Sequence, residues 1–99
     1  MAHGDHKTPG GKLMRVDFDV VDDRFTHVVV SGDFFLYPDE ALDDLRSAVE
    51  GAPVTITEDA LAARIAAAMR PGAELIGSSP ESLAIAVRRG LLEAGFAHE

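Results

Sequence analysis

A clear alternation of apolar and polar side chains over residues 12–20, interrupted at Leu13, constrains the fold more than any other feature. Every second residue from position 14 is apolar: Met14, Val16, Phe18 and Val20. A period of two is typical of a strand with one buried face and one face in water. A short polar turn leads into a second apolar segment, residues 25–31, and so short a connection predicts an antiparallel hairpin. Because a two-stranded hairpin is not stable alone, helices must cover its apolar face.

The later segments have the period of helices. The first predicted helix follows Pro38, carries acidic residues in its first turn and ends at Gly51. The second begins after Thr57, a good capping residue, and is stopped by the sequence RPG at residues 70–72. The third begins at the sequence SPE, residues 79–81, where a capping serine precedes a proline in the first helical position.

Together these segments predict an α+β fold, a small antiparallel sheet of two or three strands covered by three helices. Residues 74–77 are predicted to be a short buried segment, either a third strand or an extended linker. The apolar stripe of the first helix is predicted to hold Ala41, Leu42, Leu45, Ala48 and Val49. Residues 12–94 are predicted to form a single domain, with a flexible arm at residues 1–11 and a frayed tail at residues 95–99.

Composition restricts the classes of partner. The 99 residues carry a formal net charge of −8 and contain no cysteine. So acidic a surface repels phosphate backbones and anionic lipid, which argues against nucleic-acid and membrane partners. The missing cysteines exclude disulfides, thiolate zinc sites and thiol chemistry. No apolar segment approaches the ~20 residues of a membrane span, and no signal-peptide core is present. A cytoplasmic protein is therefore expected.

Three aromatic residues fall within four positions where the second predicted strand ends. Gly32 and Asp33 are predicted to turn the chain there, because glycine accepts unusual backbone angles and aspartate bonds nearby backbone groups. Phe34 and Phe35 point to opposite sides if the chain is extended, and Tyr37 follows them. Two alternatives remain open. Either one phenylalanine is buried while the other needs a cover such as a partner, or both close the core under the following helix.

A basic loop is the exception in this acidic chain. Lys7 and Lys12 flank the pair Gly10-Gly11. Long flexible ammonium groups around exposed backbone N–H groups suit an anionic ligand or an acidic partner surface. The alternative is that both lysines are simply solvated.

No set of catalytic groups or metal ligands is apparent. His3 and His6 lie in the predicted arm without other ligands around them and are interpreted as solvated. His27, on the second strand, is interpreted as a satisfied or solvent-facing residue. Because phosphate-loop, dinucleotide and nucleophile motifs are missing from the sequence, the residues by themselves predict a small non-catalytic domain.

The loop and the aromatic turn together resemble the accessory domain of lipoate–protein ligases. The resemblance is carried by KTPGGKL at residues 7–13 and SGDFF at residues 31–35, followed by Pro38 and the acidic helix. It extends from about Gly4 to the last helix, where only general pattern and spacing match. In this family the domain is either the C-terminal part of the ligase or a separate small subunit. A chain that starts at Met1 and holds only the small domain resembles the separate subunit.

The resemblance implies a two-part enzyme. A large catalytic subunit binds lipoate, ATP and magnesium, makes lipoyl-adenylate, and transfers the lipoyl group to a lysine of a carrier domain. The accessory subunit is needed chiefly for adenylation, binds no cofactor alone and meets lipoyl carrier domains only indirectly. The signatures of the large subunit are missing from this sequence, so the resemblance implies a non-catalytic subunit.

The resemblance also implies roles for the two motifs. The residues expected near ATP or the adenylate are Lys7, Gly10, Gly11 and Lys12. The residues expected at the interface with the large subunit are Asp33, Phe34 and Phe35, although a turn-forming role is the alternative for Asp33. Without the partner, an exposed apolar face makes a homodimer possible. The rival interpretation is a stand-alone protein-interaction or lipoate-handling module with no role in adenylation.

Overall fold

The alternating segment forms the middle strand of a three-stranded antiparallel sheet. In the computed structural model, which describes residues 2–95, the elements in chain order are β1 (Ala2–Lys7), β2 (Leu13–Val21), β3 (Arg24–Gly32), β4 (Phe35–Tyr37), α1 (Ala41–Val49), α2 (Glu58–Ala68), β5 (Glu74–Ile76) and α3 (Pro80–Glu93). The sheet has the order β1-β2-β3, and β4 pairs with β5 in a separate ribbon. The predicted α+β fold is confirmed. Of the predicted tail at residues 95–99, all but Gly95 lies outside the described residues.

The predicted hairpin is confirmed as β2 and β3, and its inward side chains form the centre of the core. Met14, Val16 and Phe18 are fully buried, whereas Arg15 between them is exposed. The ring of Phe18 meets that of Phe25 edge to face, with centroids 5.0 Å apart and an interplanar angle of 87°. The quadrupoles of aromatic rings favour this arrangement, so the two strands are joined through their side chains as well as their backbones.

The structure corrects the flexible arm predicted over residues 1–11, because β1 pairs with β2 along its whole length. The apolar pattern gave no sign of this strand because Gly4 and His6 occupy its more buried positions. α3 lies directly on the β1 backbone. A Cβ atom added to Gly4 would clash with the carbonyl oxygen of Ala86 and the backbone nitrogen of Gly90. Glycine therefore allows a strand and a helix to pack backbone to backbone.

The predicted helix starts are confirmed at α2 and α3. The Thr57 hydroxyl accepts a hydrogen bond from the Ala60 N–H at 3.1 Å, and the Ser79 hydroxyl accepts one from the Ser82 N–H at 3.1 Å. Pro80 stands at the start of α3, where its missing N–H costs nothing. α3 packs on β1 and β2, α1 packs on β3, and α2 contacts both helices. No helix within residues 2–95 has the length and apolarity that a membrane crossing needs.

α1 buries a narrower face than the sequence predicts. Its buried residues are Ala41, Leu45, Ala48 and Val49. Leu42 is 40% exposed, which corrects its assignment to the buried stripe. Within residues 2–95, α1 packs chiefly against β3, β4 and α2. Leu42 lies in its first turn, at the margin of the core.

The carboxylate of Asp44 on α1 receives three hydrogen bonds from Arg70, in the loop after α2. Arg70 Nε donates to Oδ2 at 2.8 Å, Nη2 donates to Oδ1 at 3.1 Å, and the backbone N–H donates to Oδ2 at 3.0 Å. These hydrogen bonds hold the pKa of Asp44 below its ordinary value. A group with a lowered pKa stabilises the fold above its ordinary pKa and loses this contribution as pH falls through the lowered value.

We therefore expect Asp44→Asn to lower the free energy of unfolding at neutral pH and to change it little in strong acid. Urea denaturation at a series of pH values from 7 to about 2 measures the difference from wild type. The difference should shrink as pH falls below the ordinary aspartate pKa of about 3.9 and vanish below the lowered pKa of Asp44 in the folded chain. Asp59→Asn is the control, because Asp59 makes no ion pair within residues 2–95. A difference that stays constant over the whole range would contradict the expectation.

A β-bulge interrupts β3 at His27, whose φ angle is +52°. The backbone N–H groups of His27 and Val28 donate to the two carboxylate oxygens of Glu50, at 3.2 and 3.1 Å. The exposed imidazole of His27 places Nδ1 3.2 Å from Oδ2 of Asp19. The interpretation of His27 as a solvent-facing residue is confirmed, and Glu50 satisfies the donors that the bulge removes from the ladder.

Candidate functional site

β4 and β5 form a two-stranded antiparallel ribbon, here called the β4–β5 ribbon, that is separate from the main sheet. Leu36 and Leu75 lie opposite each other in it and pack against the core. Glu74 and Ile76 are exposed, so the prediction that residues 74–77 form a buried segment is wrong for these two positions. Successive side chains of the ribbon point to opposite faces. One face therefore covers the core, and the other is in contact with solvent.

The solvent side of the β4–β5 ribbon is largely apolar, and its charged residue is Glu74, opposite Tyr37. Phe35 and Tyr37 are two residues apart and therefore share a face, and Phe35 pairs with Ile76 across the ribbon. The exposed fractions are 69% for Phe35, 69% for Tyr37 and 56% for Ile76. We call these three residues the aromatic face. Clustered apolar side chains in contact with water mark binding surfaces more often than scattered ones do.

Phe34 and Phe35 have opposite environments, as the first of the two sequence alternatives predicts. Phe34 is half-buried and packs against the core, whereas Phe35 projects into solvent. A Cβ atom added to Gly32 would lie 2.9 Å from two atoms of the Phe34 ring, and the φ angle of Gly32 is +151°. Glycine at position 32 therefore both turns the chain and leaves room for the Phe34 ring.

The two sequence motifs meet in space at the start of β2. The Leu13 N–H donates to Oδ1 of Asp33 at 2.8 Å, and the Asp33 N–H donates to the Leu13 carbonyl at 3.2 Å. The Lys12 N–H donates to the Gly77 carbonyl at 2.7 Å, directly after β5. The Asp33 carboxylate therefore bonds a backbone group of the neighbouring strand, not one close to it in the chain as the turn-forming alternative supposes. The place of Asp33 at an interface stays a prediction. These contacts connect the basic loop to the turn before β4 and to the end of β5.

The basic loop between β1 and β2 is fixed on both sides. The hydroxyl groups of Thr8 and Ser82 form a hydrogen bond that attaches the loop to α3. The Gly11 N–H donates to the Thr8 carbonyl at 2.7 Å, and Gly10 has a φ angle of +73°. Because the backbone of the loop is held in this way, the positions from which the side chains of the two flanking lysines extend are fixed.

The side chains of Lys7 and Lys12 are available to a ligand. Both residues are exposed, and neither forms an ion pair with any residue between 2 and 95. A Cβ atom added to Gly77 would lie 2.5 Å from Cγ of Lys12, so the stem of this lysine packs closely on the chain after β5. The structure therefore places Lys12 beside the end of β5, next to Ile76 of the aromatic face.

Sequence reasoning found the loop and Phe35 but missed Ile76 and the place of Tyr37. Only the structure shows that Glu74-Leu75-Ile76 and Phe35-Leu36-Tyr37 share one pattern of exposed, half-buried and exposed residues. Three residues are too few to show that period in the sequence. Within residues 2–95 no three histidine, aspartate or glutamate residues are grouped closely enough to hold a metal ion. The arrangement presents groups suited to binding: an apolar surface, and a basic loop whose Lys12 lies next to it.

Comparison with known proteins gives a likeness in fold. No protein-family model matches this sequence, and no curated protein matches it. A chain of the solved structure of an archaeal lipoylation system, a bi-partite lipoate protein ligase and its E2 lipoyl domain from Thermoplasma acidophilum, superposes with a TM-score of 0.69. The two chains are 24% identical, and the match covers 89% of this chain and 96% of the other. They share one fold over nearly their whole lengths.

Proposed function

We propose that this chain is the non-catalytic accessory subunit of a lipoate–protein ligase, which pairs with a separate catalytic subunit and supports ATP-dependent formation of lipoyl-adenylate. The observation that carries the proposal is the placement of the aromatic face beside the basic loop on this fold, through the contact of Lys12 with the end of β5. The fold is shared with a chain from a bi-partite ligase system, and 96% of that chain is matched. The two chains are therefore of similar size, which suits a small separate subunit.

The aromatic face supplies the docking surface of the proposed subunit. Aromatic residues dominate the energetics of protein interfaces because they bury large areas at small conformational cost. Phe35 and Tyr37 are held on a paired strand whose other face is packed, so their backbone is already ordered before binding. A surface ordered in advance loses less entropy on association.

The basic loop supplies positive charge near the same surface. Lipoyl-adenylate formation uses the phosphates of ATP, which magnesium and cationic side chains neutralise in the assembled enzyme. The exposed ammonium groups of Lys7 and Lys12, which form no ion pair within residues 2–95, fit this requirement. We infer that they approach the nucleotide when the two subunits assemble, while the catalytic subunit provides the reacting groups.

Lipoate-dependent ATP–pyrophosphate exchange tests the proposal directly. A catalytic lipoate ligase subunit from the same organism is assayed with and without this chain. We expect exchange to depend on this chain, and Lys12→Ala to lower the rate by roughly tenfold by removing one charge from the site. Arg46→Ala is the control, because Arg46 is a cation on α1 outside the loop.

Each outcome of the exchange assay assigns a different role. Exchange that is equally fast without this chain would overturn the adenylation role, and the stand-alone interaction module would then be the better description. If exchange needs this chain but its rate is unchanged in Lys7→Ala and Lys12→Ala, the role as accessory subunit is supported and the contact of the loop with phosphates is refuted.

A further inference from the structure

A groove of about 410 Å³ runs between the end of β3, β4 and the first turn of α1. The covered part of its lining is apolar and comes from Val30, Phe34 and Leu36. Leu42 and Asp39 line it from the α1 side, and both are exposed. The exposure of Leu42, which the sequence did not predict, is thus explained by its place in the wall of a groove.

The groove contains one carboxylate that has no side-chain partner within the described residues. Asp39 makes no side-chain hydrogen bond or ion pair with any residue in the described range 2–95. Other acidic residues nearby are used within the fold: Asp33 binds the Leu13 N–H, and Asp44 binds Arg70. The charge of Asp39 is therefore free to attract a cation beside an apolar cavity.

We propose that the groove receives a segment of the catalytic subunit in which an apolar side chain is flanked by lysine or arginine. The inference rests on the proposed function and names the chemistry of the partner. The apolar lining selects the hydrophobic side chain, and Asp39 selects the neighbouring cation. Phe35 lines the groove and also belongs to the aromatic face, so the groove continues the docking surface. The net charge of −8 likewise favours a basic partner segment.

Two substitutions test the groove in the complex. Ser31→Trp fills it from an exposed lining position, and Asp39→Lys reverses its charge. Affinity for the catalytic subunit is measured by calorimetry at low and high salt. We expect each variant to weaken binding by roughly tenfold, and Asp39→Lys to reduce the salt dependence of the dissociation constant. Asp59→Lys is the matched control, an equal charge change at the start of another helix, and should stay within about twofold of wild type.

A second measurement separates the groove from the proposed function. The isolated chain is titrated with N-acetyl-Leu-Arg-amide and with N-acetyl-Leu-Glu-amide while backbone amide resonances are followed by NMR. We expect the arginine peptide to shift the Val30, Gly32 and Leu42 signals at concentrations at least roughly threefold lower than the glutamate peptide.

The outcomes are distinct. If the catalytic subunit binds and both Ser31→Trp and Asp39→Lys keep wild-type affinity, the proposal that a partner segment binds in the groove is refuted. The proposed function would not be affected by this result. Groove signals that respond equally to both peptides would overturn the predicted preference for a cation. A catalytic subunit that fails to bind the wild-type chain, while the arginine peptide still shifts these signals, would overturn the proposed function and retain the chemistry of the groove.

Discussion

Replacing Gly4 by alanine is expected to lower the free energy of unfolding by about 3 kcal/mol, at the upper end of the usual cost of overpacking. The added methyl group would overlap the carbonyl oxygen of Ala86 and the backbone of Gly90. Backbone atoms cannot rotate away as the end of a side chain can, so α3 must move off β1 as a unit. Since α3 also covers β2, this movement would open the core around Phe18. Urea denaturation followed by circular dichroism measures the loss.

Two other glycine substitutions are expected to lower the free energy of unfolding by less, and they serve as comparisons for Gly4→Ala. Gly90→Ala would place a methyl group 2.8 Å from the Phe18 ring, and a ring can shift, while alanine also favours helix over glycine by about 1 kcal/mol. We therefore expect a smaller loss than for Gly4→Ala. Gly10→Ala meets no atom within 4 Å and has only its φ angle of +73° against it, which costs about 1–2 kcal/mol. If Gly4→Ala were no more damaging than Gly10→Ala, the close packing of β1 and α3 would be refuted.

The sequence predicted the elements whose signals are local. The hairpin followed from the alternation at Met14, Val16 and Phe18, which the core satisfies. The starts of α2 and α3 followed from Thr57 and Ser79, whose hydroxyl groups accept the expected hydrogen bonds. In each case one short segment contains both the pattern and the physical reason for it, so a single sequence is sufficient.

The elements that the sequence missed depend on distant partners. β1 has Gly4 and His6 where a strand normally carries large apolar side chains, and the glycine is explained only by its contact with α3. The β4–β5 ribbon pairs Phe35 with Ile76, two segments separated by two helices. Strands of three residues have too few positions to show a period. The same pairing places Ile76 beside the aromatic residues of β4 and so completes the aromatic face. The sequence could therefore predict Phe35 but not the whole face.

The placement of the candidate site follows from these long-range contacts. The Lys12 N–H bonds the Gly77 carbonyl, and the Leu13 N–H bonds Asp33, so the basic loop is tied to both strands of the ribbon. A partner that covers the aromatic face would therefore come close to the lysines without any rearrangement of this chain. Docking of the proposed catalytic subunit on the aromatic face would then bring the lysines towards the phosphates of its ATP. A surface that is rigid before binding favours both effects, as in other preorganised sites.

Replacing Phe35 by alanine is expected to weaken binding to the catalytic subunit by about 30-fold or more, the effect of losing an interface hot spot of about 2 kcal/mol. The side chain is 69% exposed in the free chain, so its truncation should change the free energy of unfolding by less than about 0.5 kcal/mol. Calorimetric titration of the catalytic subunit gives the first quantity and urea denaturation gives the second. The combination of a large loss of affinity with intact stability distinguishes a docking residue from a core residue.

The matched control is Leu92→Ala, which truncates another large apolar side chain that is 55% exposed, on α3 and outside the aromatic face. Ile76→Ala, across the ribbon from Phe35, should weaken binding as well, although by less, because a smaller side chain buries less area. Equal losses in Phe35→Ala and Leu92→Ala would indicate nonspecific apolar adhesion. Wild-type affinity in Phe35→Ala and Ile76→Ala would show that the aromatic face is not the docking surface, and the partner would then have to bind elsewhere on this chain.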